Sequence, residues 1–488
     1  MSSIRRSTGF TLLVAAAITL SACGNNAAGN GNTATASGSP SQGNAPAQTA
    51  AATEKPAKQT LRILSGVAGG KTPEENEQFE QEIERLTGIE IEIEKPAADY
   101  SKKLMAALAG GEKYDLVYMG KTEMDQLVDQ GVLTRLNDLI EASPVLSDPA
   151  VIEPGEWEQV KYGDGDIYSI FNKKEGGTLP IVRQDWMDKL ELDQPTTLDE
   201  FYTVLKAFKE QDPDGNGQAD TYGLSTSGLY DIQGFMSAAG VKYRYVIDSE
   251  GKRSIPYATE AAVPVYEWFA KLYKEGILDP NFATNDTAKM RELFLSDRVG
   301  MVTYWDAWVG LFNNMRQTED PDTAFVAKGI TGAAAPDGSY MLRRGDPSVW
   351  GIPVNAEHPD AAIAFMEFWH SEPGNILSTL GIEGVDWTKG SDGSYALTET
   401  GGEHGMDHGA PFPSNTKFVN PIGTLPGAME AREMIFSNNS AVELSTADWP
   451  NAEKIVQSYA FKAMMGELPA AEAVKSMNAE LKSAGLID

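Results

Sequence analysis

Residues 61–119 alternate between strand-like and helical patterns, and this alternation constrains the fold more than any other feature of the sequence. The strand-like run over 89–94 alternates isoleucine with glutamate, as a strand with one solvated face does. Helical segments over 72–88 and 99–110 each begin at a capping residue, Thr72 or Asp99, and end at glycine. A β-α-β-α-β order favours a parallel sheet with ligands beyond the carboxyl ends of its strands, so the sequence predicts an α/β fold.

Length, cysteine content and charge narrow the class of protein. The chain has 488 residues, of which 41% are hydrophobic and 23% charged, so it is long enough for two or three globular cores. Its single cysteine excludes an intrachain disulfide. The formal net charge of -30 repels phosphate groups, so we expect no nucleic-acid partner and a ligand that is neutral or held by a local basic pocket.

The N-terminus has the pattern of an export signal. Two arginines precede an apolar run over 10–20, which is too short to cross a bilayer but typical of a signal peptide. The Leu-Ser-Ala-Cys sequence that follows resembles the lipobox of bacterial lipoproteins, which implies cleavage after Ala22 and acylation of Cys23 by chains such as palmitate. The alternative is an ordinary secretory signal with an incidental cysteine. We therefore predict a signal peptide over 1–22 and a lipidated, flexible tether over 23–59.

Recognisable catalytic motifs are few. The turn over 65–72 nearly matches a phosphate-binding P-loop, but Ser65 stands where the pattern requires glycine, so we interpret it as a cleft-facing turn. His404 and His408 have no third ligand nearby, which favours a surface loop over a zinc site. No Gly-x-Ser-x-Gly motif is present, and Cys23 is assigned to lipidation, so a nucleophilic hydrolase lacks a candidate residue. A glycoside hydrolase with a carboxylate pair is left open.

The segment 212–220, DPDGNGQAD, has the spacing of a calcium loop. Oxygen donors recur at the first, third, fifth and ninth positions, with glycine at the sixth, as in an EF-hand. Gly223 stands where an EF-hand has its bidentate glutamate, so we expect a structural Ca²⁺ site rather than a switch. The alternative is a metal-free turn. The predicted ligands are Asp212, Asp214, Asn216, the Gln218 carbonyl and Asp220.

Six segments carry a family likeness. They are 179–190 (LPIVRQDWMDKL), 194–201 (QPTTLDEF), 266–282 (YEWFAKLYKEGILDPNF), 300–308 (GMVTYWDAW), 381–387 (GIEGVDW) and 466–469 (GELP). Together they resemble the extracellular solute-binding proteins of carbohydrate ABC transporters, and most of all the large lipoprotein-type members of Gram-positive bacteria. The likeness extends over the whole predicted folded region.

This resemblance implies a type II periplasmic-binding-protein-like fold, in which each of two α/β lobes has a mostly parallel sheet flanked by helices and the lobes close on a ligand at a hinge. We place lobe one at 60–165 and 330–402, and lobe two at 166–329 and 403–488. The implied function is that of a lipid-anchored, monomeric, non-enzymatic receptor on the extracytoplasmic face of the cell membrane. It captures a carbohydrate, in particular an oligosaccharide, in the cleft between the lobes and delivers it to ABC permease subunits. The rival classes are a secreted glycoside hydrolase and a surface module for another small solute.

The sugar site is predicted from aromatic residues that follow a strand. Sugar rings present apolar faces and hydroxyl edges, so a receptor needs flat aromatic surfaces beside fixed polar groups. The segment 304–308 supplies both kinds after the strand-like run 300–303, and the resemblance implies a ligand contact there. The alternative is that these aromatic side chains belong to the core. The predicted contacts are Trp305 as the main platform, Tyr304, Asp306, Trp308 and Arg183, with Trp350, Trp387 and Tyr118 from the facing lobe.

Overall fold

The computed structural model describes residues 60–70, 72–96, 99–163, 165–173, 175–404, 414–415, 417–437, 440, 443–444 and 446–488. All of them belong to the unit Ala57–Asp488. The predicted signal peptide, Cys23, the tether and His408 lie outside the described residues.

The strands of the described residues fall into two large sheets and three small hairpins. They are β1 (Thr60–Leu64), β2 (Glu90–Glu94), β3 (Leu116–Gly120), β4 (Lys161–Tyr162), β5 (Asp166–Ile167), β6 (Ile170–Phe171), β7 (Gly177–Arg183), β8 (Tyr222–Ser225), β9 (Val246–Ile247), β10 (Arg253–Ser254), β11 (Val299–Trp305), β12 (Ala327–Gly329), β13 (Arg343–Arg344), β14 (Ser348–Gly351), β15 (Trp387–Lys389) and β16 (Tyr395–Leu397).

Helices flank both large sheets. They are α1 (Pro73–Thr87), α2 (Tyr100–Ala109), α3 (Lys121–Asp129), α4 (Asn137–Ala142), α5 (Pro154–Val160), α6 (Gln184–Lys189), α7 (Leu198–Glu210), α8 (Gln233–Met236), α9 (Val263–Lys274), α10 (Thr287–Leu295), α11 (Ala307–Glu319), α12 (Pro359–Trp369), α13 (Glu372–Leu380), α14 (Glu399–His404), α15 (Ala428–Ser437), α16 (Trp449–Met464) and α17 (Ala470–Ser483). Short 3-10 helices cover Tyr230–Ile232, Ser237–Ala239, Pro256–Ala258 and Glu260–Ala262.

The first sheet has the strand order β2-β1-β3-β14-β6. β1 pairs in parallel with both β2 and β3, and α1 and α2 connect these strands, so the predicted β-α-β-α-β order is confirmed. The capping box is also confirmed, because Thr72 Oγ1 accepts from the Glu75 amide at 3.2 Å. The predicted cap at Asp99 is wrong: this residue has a φ of 53° and its side chain makes no cap hydrogen bond.

The second sheet has the order β12-β7-β11-β8, and β13 also pairs with β7. Among the described strands of this sheet, only β11 and β8 run in parallel, because β7 is antiparallel to β11, β12 and β13. The sheet is therefore mixed, and the prediction of a mostly parallel sheet is wrong for this part of the fold. The chain changes sheet between Phe171 and Gly177 and again between Arg344 and Ser348. The lobe boundaries themselves stay a prediction.

Separate apolar cores pack against the two large sheets. Trp350, Trp369 and Phe171 lie in the core of the first sheet, and all three are buried. In the second, α7 and α9 pack with α16 and α17 around one core, while α10, α11 and α15 enclose another. β11 is buried over its whole length except at Trp305, so this strand meets solvent at its carboxyl end.

Candidate functional site

The site is built where β11 ends and β7 begins. Trp305, the last residue of β11, lies opposite Thr178 of β7, and Thr178 lies opposite Arg343 of β13 on its other side. These three residues therefore form one row across three neighbouring strands. β11 is parallel to β8, so the row lies at the carboxyl end of the sheet's parallel pair, where open sheets present their ligand sites.

A cavity of about 160 Å³ opens beside this row. It is lined by Lys173, Glu175, Gly176, Trp305, Asp306, Ala307 and Trp308. Both indoles are only partly buried, whereas Asp306 is 1% exposed. The site thus combines two partly exposed aromatic surfaces with a lysine and a glutamate at its wall.

Two glycines make room for the side chains at this edge. A Cβ atom at Gly345 would lie 2.2 Å from Cη2 of Trp305, and one at Gly176 would lie 2.1 Å from the Asp306 carboxylate oxygens. The Gly345 amide also donates to the Gly176 carbonyl at 2.8 Å. Because neither glycine has a side chain, the Trp305 ring can lie directly on the backbone and Asp306 can fold inward.

Asp306 is held inside the protein opposite an arginine. Its Oδ2 lies 3.7 Å from Nη1 of Arg432, which projects from α15. Burial raises the pKa of Asp306 to about 6, and the charge of Arg432 opposes this rise. The carboxylate is therefore ionised at neutral pH, and it acts as a counter-charge rather than as an exposed ligand group.

Further charges complete a cluster around Arg432. Burial lowers the pKa of Arg432, while the nearby carboxylates of Asp306, Glu175 and Glu156 raise it. Nη2 of Arg344 lies 3.7 Å from Oε2 of Glu156. We call these five residues, Glu156, Glu175, Asp306, Arg344 and Arg432, the cleft cluster. Its three carboxylates neutralise its two guanidinium groups.

The first sheet reaches the cavity through Tyr118 and Ser348. Ser348 Oγ donates to the Glu175 carboxylate and accepts from Asn172 Nδ2 at 3.0 Å. Burial raises the pKa of Tyr118, and the charge of Glu175 raises it further. The charge of Glu175 acts on Tyr118, so this candidate from the facing lobe lies near one residue of the cavity lining.

The other two candidates from the facing lobe are packed elsewhere. Trp350 is 0% exposed, and its Nε1 donates to Asn172 Oδ1 at 2.8 Å. Trp387 stacks on Tyr395 at 4.8 Å and donates to the Gly381 carbonyl at 3.0 Å. Neither ring belongs to the lining of the cavity beside Trp305, so we leave both out of the proposed site.

Arg183 and Tyr304 are also directed away from the cavity. Arg183 lies at the opposite end of β7 from Thr178, five residues or about 17 Å along the strand. Its guanidinium donates to Asp185 at 2.6 and 2.9 Å and to Asp297. Tyr304 alternates with Trp305 along β11, so it points to the other face, where its hydroxyl accepts from Arg291 Nη1 at 3.0 Å.

Sequence reasoning missed Lys173 and four members of the cleft cluster. Some local signals were present, since Lys173 and Glu175 precede a glycine pair at the start of a buried strand, and Arg344 belongs to an Arg-Arg-Gly run. Arg432 had no such signal, because it is an ordinary polar position of a helix that lies far away in the sequence.

The predicted calcium loop is closed by its own hydrogen bonds. Asn216 Nδ2 donates to Asp214 Oδ2 at 2.7 Å and to Asp220 Oδ1 at 3.3 Å, and the Gly217 amide donates to Asp212 Oδ2 at 3.0 Å. Asp220 also pairs with Arg298 at 2.7 Å. Across the described part of the chain, no three or more His, Cys, Asp or Glu side chains are grouped as metal ligands.

The prediction that His404 lies in a surface loop is wrong, because the residue belongs to a helix and its side chain is 11% exposed. His404 ends α14, and its Nδ1 lies 2.6 Å from Oδ1 of the buried Asp386. The same ring lies 3.7 Å from Glu75 of α1. His404 therefore ties α14 to two other parts of the chain.

Among the described helices, none has both the length and the apolar composition that crossing a membrane requires.

Comparison with known proteins identifies the family. The model of the bacterial extracellular solute-binding proteins matches residues 69–376. The lipoprotein LipO of Bacillus subtilis (strain 168) is 24% identical over 359 residues, which are 70% of this chain and 70% of LipO.

Two solved structures share the fold. The alginate-binding protein AlgQ2, solved without calcium ion, superposes with a TM-score of 0.69 at 22% identity and covers 88% of this chain and 95% of its own. An EF-hand mutant of the S. pneumoniae substrate-binding protein FusA, in complex with fructo-nystose, gives a TM-score of 0.66 at 18% identity and covers 88% of this chain and 96% of its own.

The family model covers more than half of the chain, and each of the two structures covers 88% of it. The predicted family and the predicted two-lobe α/β fold are therefore confirmed. The chain belongs to the bacterial extracellular solute-binding proteins.

Proposed function

We propose that this chain captures a carbohydrate, in particular an oligosaccharide, in the cleft beside Trp305 and delivers it to an ABC permease. The observation that carries the proposal is the pair of partly exposed indoles, Trp305 and Trp308, beside Lys173 and Glu175 in one cavity. Aromatic faces bind the C–H faces of sugar rings, and charged edge groups bind hydroxyls.

The position of the cavity supports capture by closure. Its second-sheet wall is formed by Trp305 and Trp308, while Ser348 and Tyr118 of the first sheet meet it through Glu175. A ligand held at this junction contacts both lobes. Its binding energy then stabilises whichever lobe arrangement encloses it, which is how a solute-binding protein presents a loaded form to its transporter.

The protein acts in this proposal as a receptor and not as an enzyme. Of the two carboxyl groups of the cavity lining, Asp306 is 1% exposed and paired with Arg432. A buried, paired carboxylate is poorly placed to serve as one of the two groups that glycoside hydrolysis needs. The ligand should therefore be recovered intact after incubation, whereas a glycoside hydrolase would shorten it.

The site of action follows from the N-terminal sequence. The Leu-Ser-Ala-Cys motif, the low-complexity tether over 23–59 and the similarity to a lipoprotein together support acylation at Cys23. An acylated tether would keep the monomeric receptor on the outer face of a Gram-positive cell membrane, within reach of its permease subunits. Metabolic labelling with an alkyne fatty acid tests this assignment, and a Cys23→Ser chain should lose the label and enter the medium.

A structural Ca²⁺ in the loop 212–220 is part of the proposal. Asp212 Oδ1 is buried and accepts no hydrogen bond from the described residues, and burial together with Asp212 raises the pKa of Asp214. A cation would neutralise this crowded pair, with Asn216, Asp220 and the Gln218 carbonyl as further oxygen donors. An EF-hand mutant of FusA shows that such a loop has been recognised in that protein.

The calcium proposal is tested by thermal denaturation with and without a chelator. EGTA should lower the melting temperature of the wild type, and Asp214→Ala should lower it equally and remove the response to EGTA. Asp248→Ala, which alters another exposed aspartate-capped turn, is the matched control and should keep the response. A melting temperature that ignores both EGTA and Asp214→Ala would remove calcium from the proposal.

The carbohydrate proposal is tested by calorimetry after a thermal-shift screen of oligosaccharides. Trp305→Ala should weaken binding of the best ligand by about 1 to 4 kcal/mol, the range of residues that dominate an interface. Tyr273→Ala, a partly buried aromatic on α9 outside the cavity lining, is the control and should leave affinity unchanged. Unchanged affinity in folded Trp305→Ala would exclude this cavity, and a screen without any shift would exclude carbohydrate.

A further inference from the structure

We infer that this binding site takes neutral saccharides and rejects saccharides that carry uronic acids. The inference rests on the proposed carbohydrate function and narrows its ligand class. It comes from the balance of charge around the cavity: among the described residues at this edge of the second sheet, Arg343, Arg344 and Arg432 each form an ion pair with a carboxylate of the protein.

The cleft cluster supplies the first part of the argument. Arg432 lies 3.7 Å from Asp306, and Arg344 lies 3.7 Å from Glu156. Glu175, at the cavity wall, adds a third carboxylate that acts on Arg432. With Lys173, the described residues of the cavity and its cluster hold three carboxylates and three basic groups, so among these residues no positive charge is left over for an anionic ligand.

Two neighbouring arginines, Arg343 and Arg244, also form ion pairs with carboxylates of the protein. Arg343 Nε lies 2.8 Å from Glu443 Oε2, and its Nη2 lies 3.8 Å from Asp346. Arg244 donates to both Asp346 oxygens, at 2.5 and 2.7 Å. Arg183, which has the planar donor fork that suits a carboxylate, lies at the other end of the sheet and is paired there.

Burial makes these pairs costly to exchange. The side chain of Arg343 is 1% exposed, and those of Arg344 and Arg432 are 13% and 11% exposed. If one of these arginines turned to a ligand carboxylate, its protein partner would remain buried without a counter-charge, which is strongly unfavourable. A uronate would also meet the field of an acidic chain, with a formal net charge of -30.

A neutral sugar avoids both costs. Its hydroxyls can donate to Glu175 and accept from Lys173 while every buried ion pair stays intact, and its ring face can cover Trp305. The shared fold does not decide this point, because alginate, named for AlgQ2, is a polyuronate, whereas the fructo-nystose bound to FusA is neutral. The charge balance is a property of this chain's own residues.

The test compares ligands that differ only in charge. Calorimetry and thermal shift are run with neutral oligosaccharides of the fructo-, xylo-, manno- and galacto- series, and with oligogalacturonate and oligomannuronate of equal length. Each uronate is also supplied as its full methyl ester, which keeps the backbone and removes the charge. We expect a neutral compound to bind and each free uronate to bind at least about tenfold more weakly than its ester.

Two variants test the stated cause. Glu175→Gln and Asp306→Asn each remove one negative charge beside Arg432, so each should raise the affinity for free uronates by about tenfold relative to wild type, and added salt should diminish the gain. Glu175→Gln is informative even if Asp306→Asn fails to fold against Gly176. Asp185→Asn, which removes a carboxylate from Arg183 at the far end of the sheet, is the control and should change nothing.

The outcomes separate this inference from the function on which it rests. Free uronates that bind as tightly as their esters, or charge-neutralising variants without any gain for uronates, would overturn the neutral-ligand inference and leave carbohydrate capture standing. A complete absence of saccharide binding would overturn both.

Discussion

The buried carboxyl group of Asp231 should make this protein less stable as the pH rises, and the variant Asp231→Asn should remove that effect. Asp231 is 4% exposed, in the short 3-10 helix Tyr230–Ile232 that follows β8. Ser227 Oγ donates to its Oδ2 at 3.3 Å, while no hydrogen bond from the described residues reaches its Oδ1. Burial raises the pKa of Asp231 to about 7, although Arg343 opposes the rise.

The size and sign of the effect follow from this pKa. The ordinary pKa of the carboxyl group is 3.8, so a pKa of about 7 in the native state corresponds to about 4 kcal/mol of free energy, at about 1.4 kcal/mol for each tenfold change in proton affinity. Between pH 3.8 and about 7, the native state keeps a proton that the unfolded state has released. The free energy of unfolding therefore falls with rising pH over this window and is constant on either side of it as far as Asp231 is concerned.

Urea denaturation from pH 4 to pH 8 measures this effect. Asparagine cannot ionise, so the difference in free energy of unfolding between Asp231→Asn and wild type should shift in favour of the variant by about 4 kcal/mol across the range. Asp337→Asn is the control and should show almost no change across this range, because hydrogen bonds from Ser339 lower the pKa of the exposed Asp337 from 3.8, so its titration lies below the pH values measured. A difference between Asp231→Asn and wild type that does not change with pH would refute the reasoning.

Three further predictions concern packing and capping. Gly345→Ala places a methyl group 2.2 Å from the Trp305 ring, so it should weaken saccharide binding by about tenfold in calorimetry, whereas Gly155→Ala, with open space around it, should not. Trp350→Ala should lower the free energy of unfolding by about 3 to 5 kcal/mol in urea, since the indole is fully buried; a loss below about 1 kcal/mol would contradict its place in the core. Thr197→Ala removes the capping box of α7 and should cost about 1 kcal/mol by calorimetric melting, and equal stability would show that the cap contributes nothing.

Local features of the fold could be predicted from the sequence because their causes lie within a few residues. The capping box at Thr72, the left-handed Gly88 and the alternation over 89–94 each depend on near neighbours, and all three are present in the structure. Asp99 shows the limit of such patterns, because a residue with the right side chain before a helix does not cap it when its backbone is left-handed.

In the candidate site, too, some features have causes within a few residues and others depend on distant parts of the chain. The sequence placed Trp305 and Asp306 at a strand end, since a buried strand followed by a helix forces that position, and their part in ligand binding stays a prediction. It ranked Trp305 above Trp350 and Trp387, but it could not show that the latter two rings are buried. All are tryptophans near strands, and exposure depends on which distant segments cover each ring.

Only the tertiary structure decided the charge balance of the cleft. Glu156, Glu175, Asp306, Arg344 and Arg432 come from five separate parts of the chain and meet at the junction of the two sheets. The sequence by itself determined the α/β order, the family and the strand end that carries Trp305, because periodicity, caps and turns act between neighbours. Strand pairing and helix packing join residues that are remote in sequence, so the ion pairs that set the electrostatics of the site become visible only in three dimensions.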